Sequence, residues 1–528
     1  MDLFIIIIIV GTLFLIASLR PTFNICRKED NIAWCFLFCS IVLFIVGYLG
    51  IIYYFFSFEF DPLVVSIISC ILFGGGIFVF LVIKLSYKSI LKIESAVEVQ
   101  RHLAEHDILT NLPNRKMFFK SLSLCVEKET PCSVFFIDLN NFKQINDSFG
   151  HHFGDQLLIA TAQKLVEGLH SFSHLFRVGG DEFAIHCIHN DESDFNDCAS
   201  LIEKLREVPL LIEQQRINMN LSAGVSHFPK DSQKVDQLVK HADIAMYDAK
   251  KNKKQLVYYT TELGEKHQET ILMSNSITKA IEENEFQLYF QPIFSANNSE
   301  LHGVESLIRW PQPDGSFISP DKFIPIAEQT NLILSLTKWV ILEALKNLQK
   351  LKIAGFTGVL HINLSAQDLR STEFYEYIME FYREDPSIAN DIVFEITESS
   401  MMTNINRVKE MITALNSKGF QFSVDDFGTG FSSLSLLREL PIQEIKIDCS
   451  FVNSMLTKKA DFAIVKSIIF LANQLNCHVV AEGIEDGATE ASLIQLNCDY
   501  LQGFYYSKPI SLAAFEHEYL INGKNHLH

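Results

Sequence analysis

The sequence predicts a multidomain α/β protein with three transmembrane helices, then an α/β domain, then a (β/α)8-type barrel. Three observations predict this order. Residues 1–84 are far more apolar than the rest of the 528-residue chain. Residues 107–262 alternate apolar, β-favouring runs with helical stretches, and in residues 263–528 short strands alternate regularly with helices. Each region therefore has a different architecture.

Size and composition limit the kinds of protein that this chain can be. A length of 528 residues exceeds one ordinary domain. The net charge of −19, from 63 acidic and 44 basic residues, argues against a surface for nucleic-acid polymers but leaves small phosphate ligands open. The 11 cysteines contain no CxxC pair, so they predict neither a zinc site nor a disulfide framework, and they fit a reducing compartment.

Three apolar runs, at 3–19, 32–56 and 63–83, each reach the length of about 17 to 25 residues that a membrane helix needs. No basic residue precedes the first run and no small-residue cleavage site follows it, so it predicts an anchor rather than a signal peptide. Arg20, Arg27 and Lys28 follow the first run, whereas "SFEFDP" after the second has no basic residue. The amino terminus is therefore expected outside the membrane, with everything after Lys84 in the cytoplasm. Three buried helices of a soluble domain are the less favoured alternative.

Residues 85–106 form a predicted helical linker. Ile90, Ile93 and Val97 follow a heptad-like step that ends before Gln100. Two interpretations remain open, a parallel coiled coil that joins two copies and a single amphipathic helix that packs on the next domain.

One turn in the α/β domain carries two glycines and two acids, in "FRVGGDEFAI". Asp138 ends the preceding "VFFID" run, and Asp181 and Glu182 lie in the turn. If the two strands are neighbours, the three carboxylates converge and call for a divalent cation, while Gly179 and Gly180 let a phosphate approach the backbone. The alternative is an ordinary hairpin with solvated acids.

The surrounding motifs favour the first interpretation. "DLNNFKQINDSFGHHFGDQLL" at 138–158, "DILTNLPNR" at 107–115 and "ADIAMYDAK" at 242–250 closely resemble the GGDEF diguanylate cyclase family. The resemblance implies a ferredoxin-like palm domain that joins two GTP molecules into cyclic di-GMP, with Mg²⁺ bound and two copies face to face.

The same resemblance implies roles for individual residues. Magnesium would be held by Asp138, the Leu139 carbonyl and Asp181, while Glu182 would assist the metal or activate the attacking hydroxyl. Guanine would be bound by Asn146 and Asp155. The phosphates would approach the backbone at Gly179 and Gly180 and would be held by Lys143 and Lys250.

Three departures from the family pattern stand in this domain. Asn140 replaces the second acid of the family's D-x-D-x-F-K segment. "KNKKQ" replaces the usual Gly-Arg-Asn tail, so Lys254 would stand in for an arginine without its bidentate fork. His170 and Ser173 occupy the places of an Arg-x-x-Asp that binds product in many cyclases, so product inhibition by that route is not expected.

The barrel region has a polar residue at the end of almost every predicted strand. Because functional groups of such barrels gather at the carboxyl ends of the strands, these residues are expected to ring one mouth. They are Glu305, Asn363, Glu395, Asp425, Asp426, Lys446, Asp448, Glu482 and Gln502. Several carboxylates with one lysine predict two divalent cations, although a rim salt bridge could explain any single member. Glu398 is expected to orient a loop.

Residues 271–521 closely resemble the EAL family of cyclic di-GMP phosphodiesterases. The motifs include "QP", "LIRW", "NLS", "EITES", "DDFGTGFSSL", "KID", "AEGIE" and "QGFYYSKP". The naming motif reads Glu305-Ser306-Leu307, with serine in place of alanine. The resemblance implies hydrolysis of cyclic di-GMP to linear pGpG with two Mg²⁺ or Mn²⁺ ions.

The EAL resemblance also assigns residues. The first metal would be held by Glu305, Asn363, Glu395 and Asp425, and the second shared by Asp425 and Asp426. Lys446, assisted by Asp448, would orient water and phosphate. Glu482 would act on the metal-bound water or accept its proton. Gln502 would hold a ligand of the site, and Arg309 and Gln291 would contact the substrate. The loop "DDFGTGFSSL" would couple dimer contact to metal binding through Glu398.

The sequence therefore ranks hydrolysis first, because the barrel has every catalytic position, and synthesis second. The expected partners are cyclic di-GMP, GTP, the lipid bilayer and a second copy of the chain. Three alternatives stay open: a cyclase-dominant enzyme, a GGDEF domain that only binds GTP to regulate the barrel, and a non-catalytic nucleotide receptor. The expected bounds are 1–84 for the anchor, 85–106 for the linker, 107–262 for the GGDEF domain and 263–528 for the barrel.

Overall fold

The computed structural model describes residues 2–28, 32–169, 173–188, 192–205, 209–213, 215–218, 220–398, 400, 405–429 and 434–522. The chain divides into two compact units, Met1–Gly264 and Glu265–His528. Each unit is considered by itself.

Three long apolar helices begin the first unit: α1 (Asp2–Lys28), α2 (Ile32–Ser57) and α3 (Pro62–Glu105). Each is long and apolar enough to cross a membrane, which confirms the three predicted spans. The backbones of α1 and α3 meet closely at two glycines, where a Cβ on Gly76 would lie 2.3 Å from the Gly11 carbonyl oxygen. Small residues permit such close helix contacts in a bilayer.

The linker is the uninterrupted continuation of α3. Within this unit the apolar side chains of Ile93 and Val97 are 62% and 60% exposed, so the following domain does not cover them. This exposure favours the coiled-coil interpretation over an amphipathic helix packed on the next domain. Pairing with a second copy remains a prediction.

A disulfide joins Cys26, near the end of α1, to Cys35, near the start of α2. The sequence analysis predicted no disulfide framework, and it did not predict this single bond. The spacing carried no motif, and only the meeting of the two helices brings the sulfur atoms together.

The α/β domain of the first unit is built on a five-stranded sheet with the order β2-β3-β1-β6-β7. Its strands are β1 (Cys132–Leu139), β2 (Ser173–Gly179), β3 (Glu182–Ile188), β6 (Leu221–Phe228) and β7 (Leu256–Tyr258), with a separate two-stranded ribbon β4 (Leu210–Ile212) and β5 (Gln215–Ile217). The accompanying helices are α4 (Arg115–Glu127), α5 (Phe142–Phe149), α6 (His151–Gly168), α7 (Glu192–Leu205) and α8 (Val235–Lys251). The fully buried β1 lies between antiparallel β3 and β6. This arrangement confirms the predicted palm fold.

Helix α9 (Thr261–Glu282) is followed by the strands of the barrel: β8 (Gln287–Ser295), β9 (Leu301–Pro311), β11 (Val359–Leu364), β12 (Ile392–Thr397), β13 (Gln421–Phe427), β14 (Glu444–Ile447), β15 (His478–Ala481) and β16 (Tyr500–Leu501). Two short strands lie beside them, β10 (Phe317–Ile318) and β17 (Ile510–Ser511). The described helices around the barrel are α10 (Pro320–Gln329), α11 (Ile333–Ile353), α12 (Thr372–Glu384), α13 (Ile405–Asn416), α14 (Leu434–Glu439), α15 (Cys449–Val452), α16 (Lys459–Gln474), α17 (Gly487–Gln495) and α18 (Leu512–Phe515).

The predicted eight-stranded barrel is confirmed, with one difference in its first strand. β8 pairs with both β9 and β16 and so closes the barrel, but it runs antiparallel to both. The sequence analysis expected a helix after this strand, and that expectation is wrong. Only residues 296–300 separate β8 from β9, which suffices for a hairpin and is too short for a parallel crossover.

Candidate active sites

The strand that follows the Gly-Gly turn, β3, lies beside β1, so Asp138 and the acids of the turn come together. Asp138 and Glu182 lie directly opposite each other on β1 and β3. Asp181 stands in the turn, and its carbonyl accepts a hydrogen bond from the Leu139 N–H at 3.3 Å. Burial of Asp138, together with the negative charges around it, raises the pKa of this carboxyl even though Lys250 opposes the shift. The hairpin therefore concentrates negative charge beside a buried acid.

Helix α8 adds one cation and one acid to this cluster. The Lys250 Nζ lies 2.6 Å from the Asp138 Oδ1, so this lysine, assigned to phosphate by resemblance, neutralises an acid of the cluster here. Burial and, next, the charge of Asp243 raise the pKa of Glu182. The sequence analysis missed Asp243, although it stands in the quoted "ADIAMYDAK" run seven residues before Lys250.

The turn itself is open on one side and tied down on the other. Gly180 has a φ of +50°, and a Cβ on Gly179 or Gly180 would meet no described atom within 4 Å. Arg177 donates from Nη2 to the Gly180 carbonyl at 2.8 Å and from Nη1 to the Asp107 Oδ1 at 2.7 Å. Sequence reasoning missed this ion pair, because nothing in the spacing of Asp107 and Arg177 indicates that they meet.

The residues assigned to guanine lie on α5 and α6. The Asn146 Oδ1 is buried and accepts no hydrogen bond from any described residue. A Cβ at Gly154 would come 1.9 Å from that oxygen, so glycine is needed to leave Asn146 in place. Asp155 and Lys143 are exposed to solvent. No contact between these side chains fixes their roles.

The three departures from the family pattern also have positions. The Asn140 Nδ2 donates to Ser222 on β6 at 3.0 Å. Lys254 joins Lys250 and Lys253 in lining a cavity of about 330 Å³. Ser173 lies 3.0 Å from the Cys198 sulfur, and His170 lies outside the described residues.

In the barrel, the buried ammonium of Lys446 lies among four carboxylates that come from four strands. Its Nζ is 2.6 Å from Glu482, 2.9 Å from Glu395, 3.3 Å from Glu305 and 3.7 Å from Asp425. The sequence predicted this convergence from the strand ends. One cation cannot balance two buried and two half-buried carboxylates, so the site retains an excess of negative charge.

That imbalance explains the shifted acidities. Burial opposes ionisation of Glu305, but Lys446 and hydrogen bonds from two amides lower its pKa to about 2. Burial raises the pKa of Glu395 and of Glu482 well above the usual range, because the single ammonium is shared. The attraction of all four anions raises the pKa of Lys446 despite its burial.

Amide side chains hold Glu305 in place. The Asn363 Nδ2 donates to the Glu305 Oε1 at 3.0 Å, and the Gln502 Nε2 donates to the Oε2 at 2.6 Å. Gln502 also donates to the Gln291 Oε1 at 3.2 Å, and Gln291 donates to the Ser507 carbonyl. In this structure Gln291 therefore supports the amide network behind Glu305, whereas resemblance assigned it to substrate.

A second acidic group lies at the mouth. Asp425, Asp426 and Glu482 offer carboxylate oxygens that all lie within 4.8 Å of one another. Asp426 has a φ of +54°, unusual for a residue other than glycine. Burial and then the charges of Asp425 and Asp448 raise the pKa of Asp426 to about 6. Glu482, assigned by resemblance to proton transfer, lies in position to share a cation with the two aspartates.

These side chains fit the divalent cations that the resemblance implies. The buried Glu395 Oε2 accepts no hydrogen bond from any described residue, so a ligand-binding oxygen is left without a donor. The donor set consists of carboxylate and amide oxygens, which Mg²⁺ and Mn²⁺ prefer.

A cavity of about 390 Å³ opens beside the acids, and Arg309, Asn363, Asp425 and Asp426 contribute to its walls. Glu398 is buried, and its Oε2 accepts a hydrogen bond from the Gly428 N–H at 3.1 Å. Gly428 belongs to the "DDFGTGFSSL" loop that Glu398 was expected to orient, and 430–433 of that loop lie outside the described residues.

The sequence analysis missed a histidine behind the carboxylates. His361 lies two residues before Asn363 on β11, and its Nδ1 is 2.9 Å from the Glu395 Oε1 and 3.6 Å from the Glu444 Oε1. Period-2 alternation along "HIN" places His361 and Asn363 on the same face of the strand, and this signal could have revealed it.

An apolar three-helix segment, a palm domain with a Gly-Gly-Asp-Glu turn and a barrel with an acidic mouth define a tandem GGDEF–EAL protein. Residues 104–256 match the family described as "Diguanylate cyclase, GGDEF domain", and residues 274–509 match the "EAL domain" family. The chain belongs to the proteins that carry these two domains in tandem.

Several characterised or curated proteins are similar to the chain. It is 37% identical to the signaling protein YkoW of Bacillus subtilis over 79% of this chain and 53% of that protein. It is 32% identical to the bifunctional diguanylate cyclase/cyclic di-GMP phosphodiesterase MucR of Pseudomonas aeruginosa over 77% of this chain and 60% of that protein. The chain thus spans little more than half the length of these relatives. A solved structure, "PaMucR Phosphodiesterase, c-di-GMP complex", is 33% identical over 46% of this chain and 99% of its own, with a TM-score of 0.45.

Proposed function

We propose that the chain turns over cyclic di-GMP, with hydrolysis to linear pGpG by the barrel as its main activity. The observation that carries this proposal is the buried Lys446, which lies within 3.7 Å of four carboxylates beside a cavity. Such a surplus of carboxylates around one buried ammonium is costly without divalent cations and serves metal-assisted phosphodiester chemistry. The relative named as a bifunctional cyclase and phosphodiesterase supports the same proposal.

Each residue of the barrel site then has a part. Glu305, Asn363, Glu395 and Asp425 would hold one divalent ion, and Asp425 and Asp426 the other. When bound, the ions neutralise the acids and acidify a water molecule. The Lys446 ammonium orients the attacking water and the phosphate, Glu482 accepts the proton, and Arg309 in the cavity wall holds the substrate's negative charge.

The palm domain is proposed to make cyclic di-GMP from two GTP molecules. The open Gly179–Gly180 turn, the opposed Asp138 and Glu182, and the lysine-lined cavity support GTP and Mg²⁺ binding. Each 3′-hydroxyl attacks the α-phosphate of the other nucleotide and displaces pyrophosphate, so the reaction requires two copies. The exposed apolar face of the linker supports such pairing. The proposed bounds are 107–262 for the GGDEF domain and 263–528 for the barrel.

The membrane arrangement follows from the same chemistry. GTP is a cytoplasmic nucleotide, so we propose that both catalytic domains face the cytoplasm of the inner membrane and that the amino terminus faces outward. Arg20, Arg27 and Lys28, toward the carboxyl end of α1, support this orientation.

Two assays on the full-length protein in detergent micelles test the proposal. With Mn²⁺ present, wild type should convert cyclic di-GMP to pGpG and GTP to cyclic di-GMP. Glu305→Ala should abolish hydrolysis and spare synthesis. Asp181→Ala with Glu182→Ala should do the reverse, so each variant is the control for the other.

Two failures would be informative. A dimeric wild-type protein that binds Mn²⁺ and forms no pGpG would overturn the main proposal. Hydrolysis without synthesis, stimulated by GTP, would instead assign the palm domain a regulatory role.

A further inference from the structure

His361 is a fully buried residue of β11, two residues before Asn363 and level with Glu305 on the neighbouring β9. Its side chain and that of Glu395 are both 0% exposed, and the Nδ1 lies 2.9 Å from the Glu395 Oε1. A Glu395 side chain that binds a cation is ionised and can only accept, so beside it the Nδ1 carries the proton and donates it. The ring is therefore fixed against an acid that the proposed function makes a metal ligand.

This contact gives the two carboxylate oxygens of Glu395 different surroundings. The Oε1 receives His361 and also the Lys446 Nζ at 2.9 Å. The Oε2 is buried and accepts no hydrogen bond from any described residue. With the Oε1 held by two donors, the Oε2 is the atom left to bind a cation.

Two further contacts fix His361 itself. The Glu444 Oε1 lies 3.6 Å from the same Nδ1, and its negative charge favours the tautomer that keeps the proton there. The Ser306 hydroxyl donates to the His361 carbonyl at 2.8 Å across the β9–β11 pair. Ser306 is the position at which this chain departs from the Glu-Ala-Leu motif, so the unusual serine supports the backbone of the histidine.

We infer that His361 is a positioning residue that aims the Glu395 Oε2 at the divalent cation and thereby sets the metal affinity of the barrel. This inference rests on the proposed function for the identity of the site. Groups that orient metal ligands in this way typically change metal affinity by about 10- to 100-fold when removed.

The test measures Mn²⁺ affinity directly, by titration calorimetry on the full-length protein, with pGpG formation as a second readout. His361→Leu places an apolar side chain of similar bulk in this buried position and removes the hydrogen-bond donor. It should weaken Mn²⁺ binding by about 10- to 100-fold, with hydrolysis recovered at high Mn²⁺. A histidine that only fills space would leave both readouts unchanged.

Two polar variants keep the test decisive if the leucine variant fails to fold. His361→Asn places an amide N–H near the position of Nδ1 and should bind Mn²⁺ with an affinity close to that of wild type. His361→Gln reaches toward the position of Nε2 and should bind as weakly as the leucine variant. Equal Mn²⁺ affinity of these two folded variants would overturn the inference.

The matched control is His302→Leu. His302 is a histidine of the same barrel that stacks on Tyr500, with ring centroids 3.7 Å apart. It should leave Mn²⁺ affinity unchanged, and an equal loss in both leucine variants would overturn the inference. If wild type binds Mn²⁺ and does not hydrolyse cyclic di-GMP, the proposed function fails, while the affinity series still decides the role of His361.

Discussion

Arg177 connects the Gly-Gly turn to the segment that follows the membrane helix, because one guanidinium group binds both. Its Nη1 donates to the Asp107 Oδ1 at 2.7 Å, and its Nε and Nη2 donate to the Gly180 carbonyl. Asp107 lies two residues beyond the end of α3, and its side chain also accepts a hydrogen bond from the Thr110 N–H. A displacement of α3 would therefore be transmitted to the Gly-Gly turn through Asp107 and Arg177.

We expect Arg177→Lys to lower cyclic di-GMP synthesis by at least about tenfold and to leave hydrolysis by the barrel unchanged, because lysine cannot bind both groups with a planar fork. Loss of these charged hydrogen bonds should also lower the free energy of unfolding of the palm by about 1.5 to 3 kcal/mol. The measurements are GTP turnover and thermal unfolding. Arg101→Ala, an exposed arginine on α3 that pairs with Glu105 at 3.6 Å, is the control. Unchanged synthesis in Arg177→Lys would contradict the role of the fork.

Divalent metal should stabilise the barrel, and Asp425→Asn should remove that effect. Mn²⁺ at about 100 times its Kd should add about 2.7 kcal/mol to the unfolding free energy of wild type. Without metal the variant should be at least as stable as wild type, because the charge of Asp425 is one cause of the raised pKa of Asp426. Tryptophan fluorescence reports this transition, since Trp310 and Trp339 lie in the barrel. Glu343→Gln is the surface control, and equal Mn²⁺ stabilisation of Asp425→Asn and wild type would refute the prediction.

His302 should make the barrel less stable in mild acid. Burial, with smaller effects from His361 and His478, lowers its pKa from 6.5 to about 4. Between these values the unfolded chain binds a proton that the folded chain does not, so stability falls as the pH drops from about 6.5 to about 4. His302→Phe keeps an aromatic ring against Tyr500 and should show a shallower pH dependence of the unfolding midpoint over that interval. Parallel curves for the two proteins would be inconsistent with this shift.

The proposed orientation makes a prediction about Cys26 and Cys35. Three spans place the connection between α1 and α2 on the same side of the membrane as the catalytic domains, which is the reducing cytoplasm. We expect both thiols to be free in growing cells, and the disulfide to form on exposure to an oxidant. Alkylation in intact cells before denaturation, with Cys26→Ser as control, measures this. A quantitative disulfide in unstressed cells would argue that the connection lies outside.

Local sequence was sufficient for the elements of this protein and for most of its candidate ligands. Long apolar runs dictate membrane-length helices, because an unpaired backbone in lipid is costly. Alternating strands and helices dictate a barrel, and a polar residue at a strand end reaches the mouth whatever the neighbouring strand is. Glu305, Asn363, Glu395, Asp425 and Lys446 could therefore be assigned to one cluster before any coordinate was known.

Contacts between elements distant in the sequence were decided only by the tertiary structure. Arg177 meets Asp107 across 70 residues and His361 meets Glu395 across 34, and neither pair has a spacing that a motif records. The antiparallel pairing of β8 with β16 belongs to the same class. Their physical cause is register and side-chain reach, which fix which atoms meet to within about an ångström, whereas periodicity in the sequence fixes only the face on which a side chain lies.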